Sequence, residues 1–357
     1  MRRVLLVAPG VVPPWTEGRK NFVRDLASVL PSEQCDVEII DGAPGNTRAI
    51  GSRLLAPIRA VAKLRERLAR ADEAISVALF PYGRFSGAIG VMNRWFILAA
   101  TRACVESRVP HATVFYSAAG LRLDALGAYA PALAVGREAP GVGAIPLGIE
   151  HADRAWHGGA TAKRALFLCG YQGTQPSVLE AVLEERGLRD LLKAGETLAA
   201  LGLKLTIAIP FLRDVRMRDL LTAESARLCP SLDIELDGMT APLDALCSHD
   251  VFLFPYRAEH AVFVPTSLLE AFSVGIPVVA SDHAMYGALA RGDGEARCAL
   301  HCAGDAEALG RVAASTIEEF DAAIAKATAT RAWVRETWTL RRSATALLQV
   351  LEKLRCA

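Results

Sequence analysis

Aromatic residues are scarce in this 357-residue chain, at 6%, and no apolar run approaches the roughly 18 consecutive positions that a membrane-crossing helix needs. Hydrophobic residues nevertheless make up 52%, so the expectation is a soluble protein that buries a large core. An excess of one charge is also missing: 40 Lys and Arg stand against 39 Asp and Glu, which removes the overall electrostatic footing for nucleic acid as a partner. The eight cysteines show no metal spacing. Cys298 and Cys302 flank His301 without a fourth ligand at a recognisable distance, so they read as reduced core residues with no metal. An export signal is lacking too. MRRVLLVAPG has two basic residues and a short apolar run, but it turns into a Pro-rich loop without a small-residue cleavage site, and reads as a first buried strand of a cytoplasmic protein. No internal repeat or low-complexity tract shows.

What is present is an alternation. Strand-like runs occur at 4–9, 37–40, 75–81, 112–116, 165–170, 203–210, 233–238, 250–256 and 277–281, with helical stretches filling most gaps, which is the pattern of α/β folds with parallel sheets. It weakens between Ala130 and Lys163, where Gly, Pro and Ala crowd together. At this length two domains are expected, and the boundary falls there, near Ile149. The reading is two doubly wound, Rossmann-like parallel sheets facing each other across a cleft: residues 1–148, residues 149–335, and a C-terminal helix, 336–357, that packs back toward the first domain. In such sheets ligands bind at the carboxyl ends of the strands.

One stretch, PTSLLEAFSVGIPVVASD from Pro265 to Asp282, reads as loop, helix and strand. Leu268, Leu269, Ala271 and Phe272 are spaced as a buried helical side, Gly275 ends the helix, and Ile276, Val278 and Val279 begin a buried strand despite Pro277. Thr266 and Ser267 cap the helix, and Glu270 is read in its first turn. A helix N-terminus that opens on a loop offers free N–H groups and partial positive charge, a place that suits an anion.

These residues carry a resemblance. PTSLLEAFSVGIPVVASD is similar to the donor-binding domain of glycosyltransferase family 4, whose architecture of two Rossmann-like domains is called GT-B. IPLGIE (145–150) resembles that family's linker, FLCG followed by ERGLRDLLKAGETL its first strand and helix, and DGMTAPLDALCSHDVFLFPYR its penultimate strand region. PPWTEGRKNFVRDLASVL resembles a branch whose opening loop reads Pro-Pro-x-x-Glu-Gly-x-Lys-Asn. The resemblance covers essentially the whole chain and is patchy from Arg48 to Ala130.

It implies the following site. Of two family glutamates eight positions apart, the second matches Glu270, which would accept from the ribose hydroxyls of a sugar nucleotide, while the first falls on Val262. The family's Arg after the first strand of this domain is replaced by Gly170-Tyr171, and its Lys-Gly step by Arg186-Gly187 after YQGTQPSVLEAVLEE; Arg186 would pair the diphosphate, the other reading being a solvated helix cap. Thr266 and Ser267 would add phosphate contacts. In the first domain Gly18 allows close backbone approach, and Arg19 and Lys20 follow where the first helix begins, an unfavourable end for cations. Glu17 is the carboxylate best placed to help catalysis. His260 would touch the transferred sugar or phosphate, whereas His111, ahead of its strand, reads as structural.

The resemblance implies a metal-independent, retaining hexosyl transfer from a UDP- or GDP-sugar to an acceptor hydroxyl, with no other cofactor. The acceptor is a glycan, a lipid-linked sugar or a small molecule. A sugar-nucleotide epimerase on the same fold and a non-catalytic nucleotide-binding or scaffold protein are the alternatives. Residues 48–70 hold seven basic residues against Glu66 alone, and Leu54, Ile58, Val61, Leu64 and Leu68 recur at helical spacing. That fits either a helix covering the sheet or a peripheral contact with the inner membrane face.

Overall fold

The structure is a computed structural model that describes residues 1–9, 11, 18–42, 50–78, 88–115, 132–135, 143–149, 153–159, 161–171, 173–239, 241–257, 265–283, 286–292 and 294–356; for 18–20, 50–54, 78, 88–90, 134 and 288 it describes the backbone alone. The chain divides into two units, Met1–Glu150 with Trp338–Ala357, and His151–Thr337.

The first unit holds a parallel six-stranded sheet of β1 (Arg2–Ala8), β2 (Cys35–Asp41), β3 (Glu73–Ala78), β4 (His111–Phe115), β5 (Ala132–Val135) and β6 (Gly143–Ile145), in the order β2-β1-β3-β4-β5-β6. The second holds β7 (Arg164–Leu168), β8 (Lys204–Ala208), β9 (Asp233–Asp237), β10 (Val251–Phe254), β11 (Val278–Asp282) and β12 (Ala299–Cys302), ordered β12-β11-β10-β7-β8-β9 and parallel throughout. All nine expected strands are present. Three are additional: β5 and β6 lie in the Gly- and Pro-rich stretch read as a weak pattern, and β12 follows the cysteine at 298. All are only three or four residues long, too short for periodicity to mark them.

Of the central strands of the second sheet, β10 is buried throughout and β7 from Ala165 onward, as covered parallel strands must be. Its edge strand β9, DIELD, puts charge on alternate positions, which discourages further pairing. Phe167, Phe252, Phe254 and Phe272 are among the largest fully buried side chains. Each such burial contributes about 1.5–3 kcal/mol.

In the second unit the chain steps outward from β7 through β8 to β9, then returns to the other side of β7 to lay down β10, β11 and β12. The order therefore reverses between β7 and β10, and in doubly wound sheets the ligand crevice lies outside the carboxyl ends of the two strands at such a reversal. In the first unit the reversal falls between β1 and β3; residues 12–17 and 79–87, which follow those strands, lie outside the described residues.

The helix Leu340–Cys356 completes the first unit. Leu340, Ala344, Leu347 and Leu351 form its buried stripe, and Ser343 Oγ donates to the Pro146 carbonyl at 2.7 Å. Arg355 Nη2 reaches the buried carboxylate of Glu73 at 2.6 Å. Where the chain comes back, Ile149 bridges Thr339, and Gly148 lies so close that a Cβ there would sit 2.0 Å from the Thr339 carbonyl oxygen.

Candidate functional site

The crevice between β7 and β10 is built from the residues that end those strands and from the turn at Arg186. The helix Pro176–Glu184 runs into Glu185, Arg186 and Gly187, and Gly187 starts the short helix Leu188–Lys193 at φ 67°. Only glycine serves there: a Cβ would stand 1.9 Å from the Pro255 carbonyl oxygen at the end of β10. The turn is thus pressed onto β10. Arg257 fastens it, since its N–H donates to the Glu185 carbonyl at 3.0 Å and its guanidinium pairs Asp190 at 2.5 Å and Glu184 at 3.0 Å. Burial pushes the Asp190 carboxyl up, and Arg257 offsets this only in part.

Held this way, the Arg186 guanidinium lies 4.7 Å from the ring centre of Tyr256 and 5.2 Å from that of Tyr171, and Nη2 donates to the Tyr171 hydroxyl at 3.3 Å. Cation–π contacts of this kind are worth about 0.5–2 kcal/mol each. Tyr256 is buried, its hydroxyl directed at the Leu168 carbonyl, and burial pushes that phenol well above its ordinary range, so it stays neutral. Burial likewise raises the neighbouring Cys169 thiol. Its two arginine neighbours differ: Arg257 is paired as above, and Arg189 pairs Glu180, Glu184 and Glu224. Arg186 pairs no carboxylate among the described residues, and its buried Nε meets no hydrogen-bond partner. A half-buried guanidinium packed against two aromatic rings, with no carboxylate partner among the described residues, is an arrangement that can receive an anion.

The helix Thr266–Val274 links β10 to β11, so its N-terminus lies at the same end of the sheet as Arg186. Its cap is Pro265, with no side-chain cap bond; the Pro265 carbonyl accepts from Leu268 and Leu269. The cap expected from the hydroxyls is therefore replaced by backbone, because proline begins the turn. Thr266 and Ser267 are the first two helical residues, both half-buried. Glu270 is half-buried at the fifth position, one turn further in than expected, and the first turn carries no acid. Gly275, at φ 85°, closes the helix, and the strand opens at Val278 after Pro277.

Of the other expected residues, Glu17 and His260 lie outside the described residues. Gly18, Arg19 and Lys20 form the first turn of the helix Gly18–Val29 in the first unit, with only their backbone described. His111 opens β4, buried, with Ser76 Oγ 2.9 Å from Nε2. In the helix Ile50–Leu68, Val61, Leu64 and Leu68 are buried, Lys63 and Arg67 pair Glu38, and Arg65 pairs Glu106. Three of the seven basic residues are thus paired and one side of the helix is packed, while Leu55 and Ile58 stay exposed. No described helix is long and apolar enough to cross a membrane, and the described residues hold no group of three or more His, Cys, Asp or Glu that could bind a metal.

Residues 179–319 match the family model described as glycosyl transferases group 1. No curated protein matches the chain. Among solved structures, the fold is similar to Anabaena Alr3699/HepE in complex with UDP and glucose, at a TM-score of 0.67 and 13% identity, covering 99% of this chain and 100% of that one. It is also similar to a glycosyltransferase from Rickettsia africae (TM-score 0.68, 12% identity, 99% and 98% covered) and to sucrose-phosphate synthase from Thermosynechococcus elongatus (TM-score 0.66, 12% identity, 100% of both chains). The two six-stranded sheets are those of the GT-B fold.

Proposed function

We propose, from a chain whose residues 179–319 are a glycosyltransferase group 1 domain on the second sheet, that this enzyme moves a hexosyl group from a UDP- or GDP-sugar to an acceptor hydroxyl. The observation that carries the reading is Arg186, a cation without a carboxylate partner among the described residues, at the point where the strand order reverses. A nucleoside diphosphate supplies the missing charge. Glu270 would accept from the ribose hydroxyls, and the free N–H groups at Thr266 and Ser267 would face phosphate. The finer placement in family 4 rests on the 265–282 stretch. Bound UDP in Alr3699/HepE supports the donor class.

In this reading Arg186 does the work that a metal ion does elsewhere, stabilising negative charge on the departing diphosphate, while the parts expected of Lys20, Glu17 and His260 rest on the family resemblance alone. Each 1.4 kcal/mol of such stabilisation gives about tenfold in rate. Transfer proceeds with retention, the acceptor attacking from the face the diphosphate leaves. For the acceptor, Leu55 and Ile58 beside Arg59 favour a lipid-linked substrate met at an anionic membrane surface. Co-sedimentation that rises with anionic lipid and is lost in Ile58→Ser/Arg59→Ser would support it; no binding at low salt would leave a soluble acceptor.

The test of the activity is incubation with UDP-, GDP- and dTDP-sugars with and without acceptor, following nucleotide release. A transferase releases nucleotide faster with acceptor. An epimerase changes the sugar without acceptor, and a scaffold protein does neither. Arg186→Ala should lower turnover more than it weakens binding of the nucleoside monophosphate, because its charge matters most as the diphosphate departs.

A further inference from the structure

We infer that Tyr171 is a second donor to the leaving diphosphate. The inference rests on the glycosyltransferase reading above and adds to it a residue whose type, a neutral phenol, departs from the arginine expected just past the first strand of this domain. Tyr171 lies at the carboxyl end of β7, half-buried, three residues beyond Leu168. Its hydroxyl oxygen accepts from Arg186 Nη2 at 3.3 Å. A hydroxyl that accepts one bond still has its own O–H to give, and a bond from a cation strengthens it as a donor. That O–H has no acceptor among the described residues, and it belongs to the phenol bonded to the same guanidinium whose buried Nε is unpartnered. The two groups therefore offer one anion a charge and a neutral hydrogen bond from adjacent points. Tyr256 differs: its hydroxyl is spent on the Leu168 carbonyl, so it supports the cation from below and does not reach for ligand.

In the transfer step the bond between the anomeric carbon and the diphosphate oxygen breaks, and both its electrons stay on that oxygen. The acceptor hydroxyl oxygen bonds the anomeric carbon, and its proton leaves on the departing diphosphate. Tyr171 keeps its proton throughout; it donates a hydrogen bond that shortens as charge builds on the diphosphate. Arg186 supplies the charge and holds the phenol in place.

Tyr171→Phe tests this, because the ring against Arg186 stays and only the hydroxyl is lost. With UDP-glucose as donor, kcat should fall about tenfold to a hundredfold while the Kd for the nucleoside monophosphate UMP stays within about twofold and the melting temperature is unchanged. Turnover within twofold of the unaltered enzyme overturns the inference. So does an equal loss in kcat and UMP affinity, which would make the hydroxyl a ground-state contact. Tyr171→Leu, which also removes the ring, should lose more, through a misplaced Arg186. The controls separate two failures. If the unaltered enzyme releases no nucleotide from any donor and Arg186→Ala binds UMP as well as it does, the glycosyltransferase reading itself fails; if Arg186→Ala is impaired and Tyr171→Phe is not, only the role of Tyr171 fails.

Discussion

At the scale of single residues, Glu270 stands on the fifth position of its helix, too far from the helix end to serve as a first-turn carboxylate, and it is half-buried. Its replacement by Ala should therefore change the melting temperature little while lowering nucleotide affinity by roughly 1–3 kcal/mol. Calorimetry with UDP and GDP measures this, and unchanged affinity would remove Glu270 from the site. His111 is the opposite case, a titratable group with a structural role. Burial pushes its imidazole down to about 4 from 6.5, so the folded chain holds it neutral. Because the folded value is the lower one, the unfolded chain takes up a proton first as the pH falls. Stability is then full above about 6.5, declines through the interval, and is lost by about 3 kcal/mol at pH 4. Urea midpoints of the unaltered protein should drop over that interval, and His111→Gln, which can still bond Ser76, should flatten the slope.

At the scale of elements, the turn at Gly187 decides where the cation sits. Gly187→Ala adds a Cβ that cannot fit against the Pro255 carbonyl and forces a left-handed backbone on alanine, so it should destabilise the second unit by roughly 1–3 kcal/mol and lower nucleotide affinity together. A stable variant with normal affinity would show that the turn does not position Arg186. This element also shows what the sequence can and cannot disclose. The strands β7, β10 and β11 are legible because buried parallel strands leave continuous apolar runs, and Arg186-Gly187 stands out through family likeness. The tyrosine cradle was not read. Each of the two strands is followed by a tyrosine two or three residues on, in ALFLCGY and DVFLFPY, but that they lie side by side is a fact of strand order, which no local pattern states. β5 and β6 escape for a simpler reason: four residues or fewer, among glycines and prolines, carry no period.

At the scale of the whole molecule, the first unit is discontinuous in sequence and the second is not. Leu340, Leu347 and Leu351 are buried in the first unit, each worth about 1.5–3 kcal/mol, a sum comparable to the entire margin of a domain. Deleting residues 338–356 should thus unfold the first unit and leave 151–337 as a protease-resistant fragment. Equal resistance of both would contradict the division. The same connectivity sets an order of events during translation. The strands β1 to β6 emerge first, yet the helix that seals them is made about 190 residues later, after the entire second unit. At roughly 5–20 residues per second that interval is about 10–40 s, during which the earlier half of the chain waits with an uncovered apolar surface. The ribosome therefore finishes the later unit before the earlier one can close, and any chaperone that serves this protein must hold its amino-terminal half.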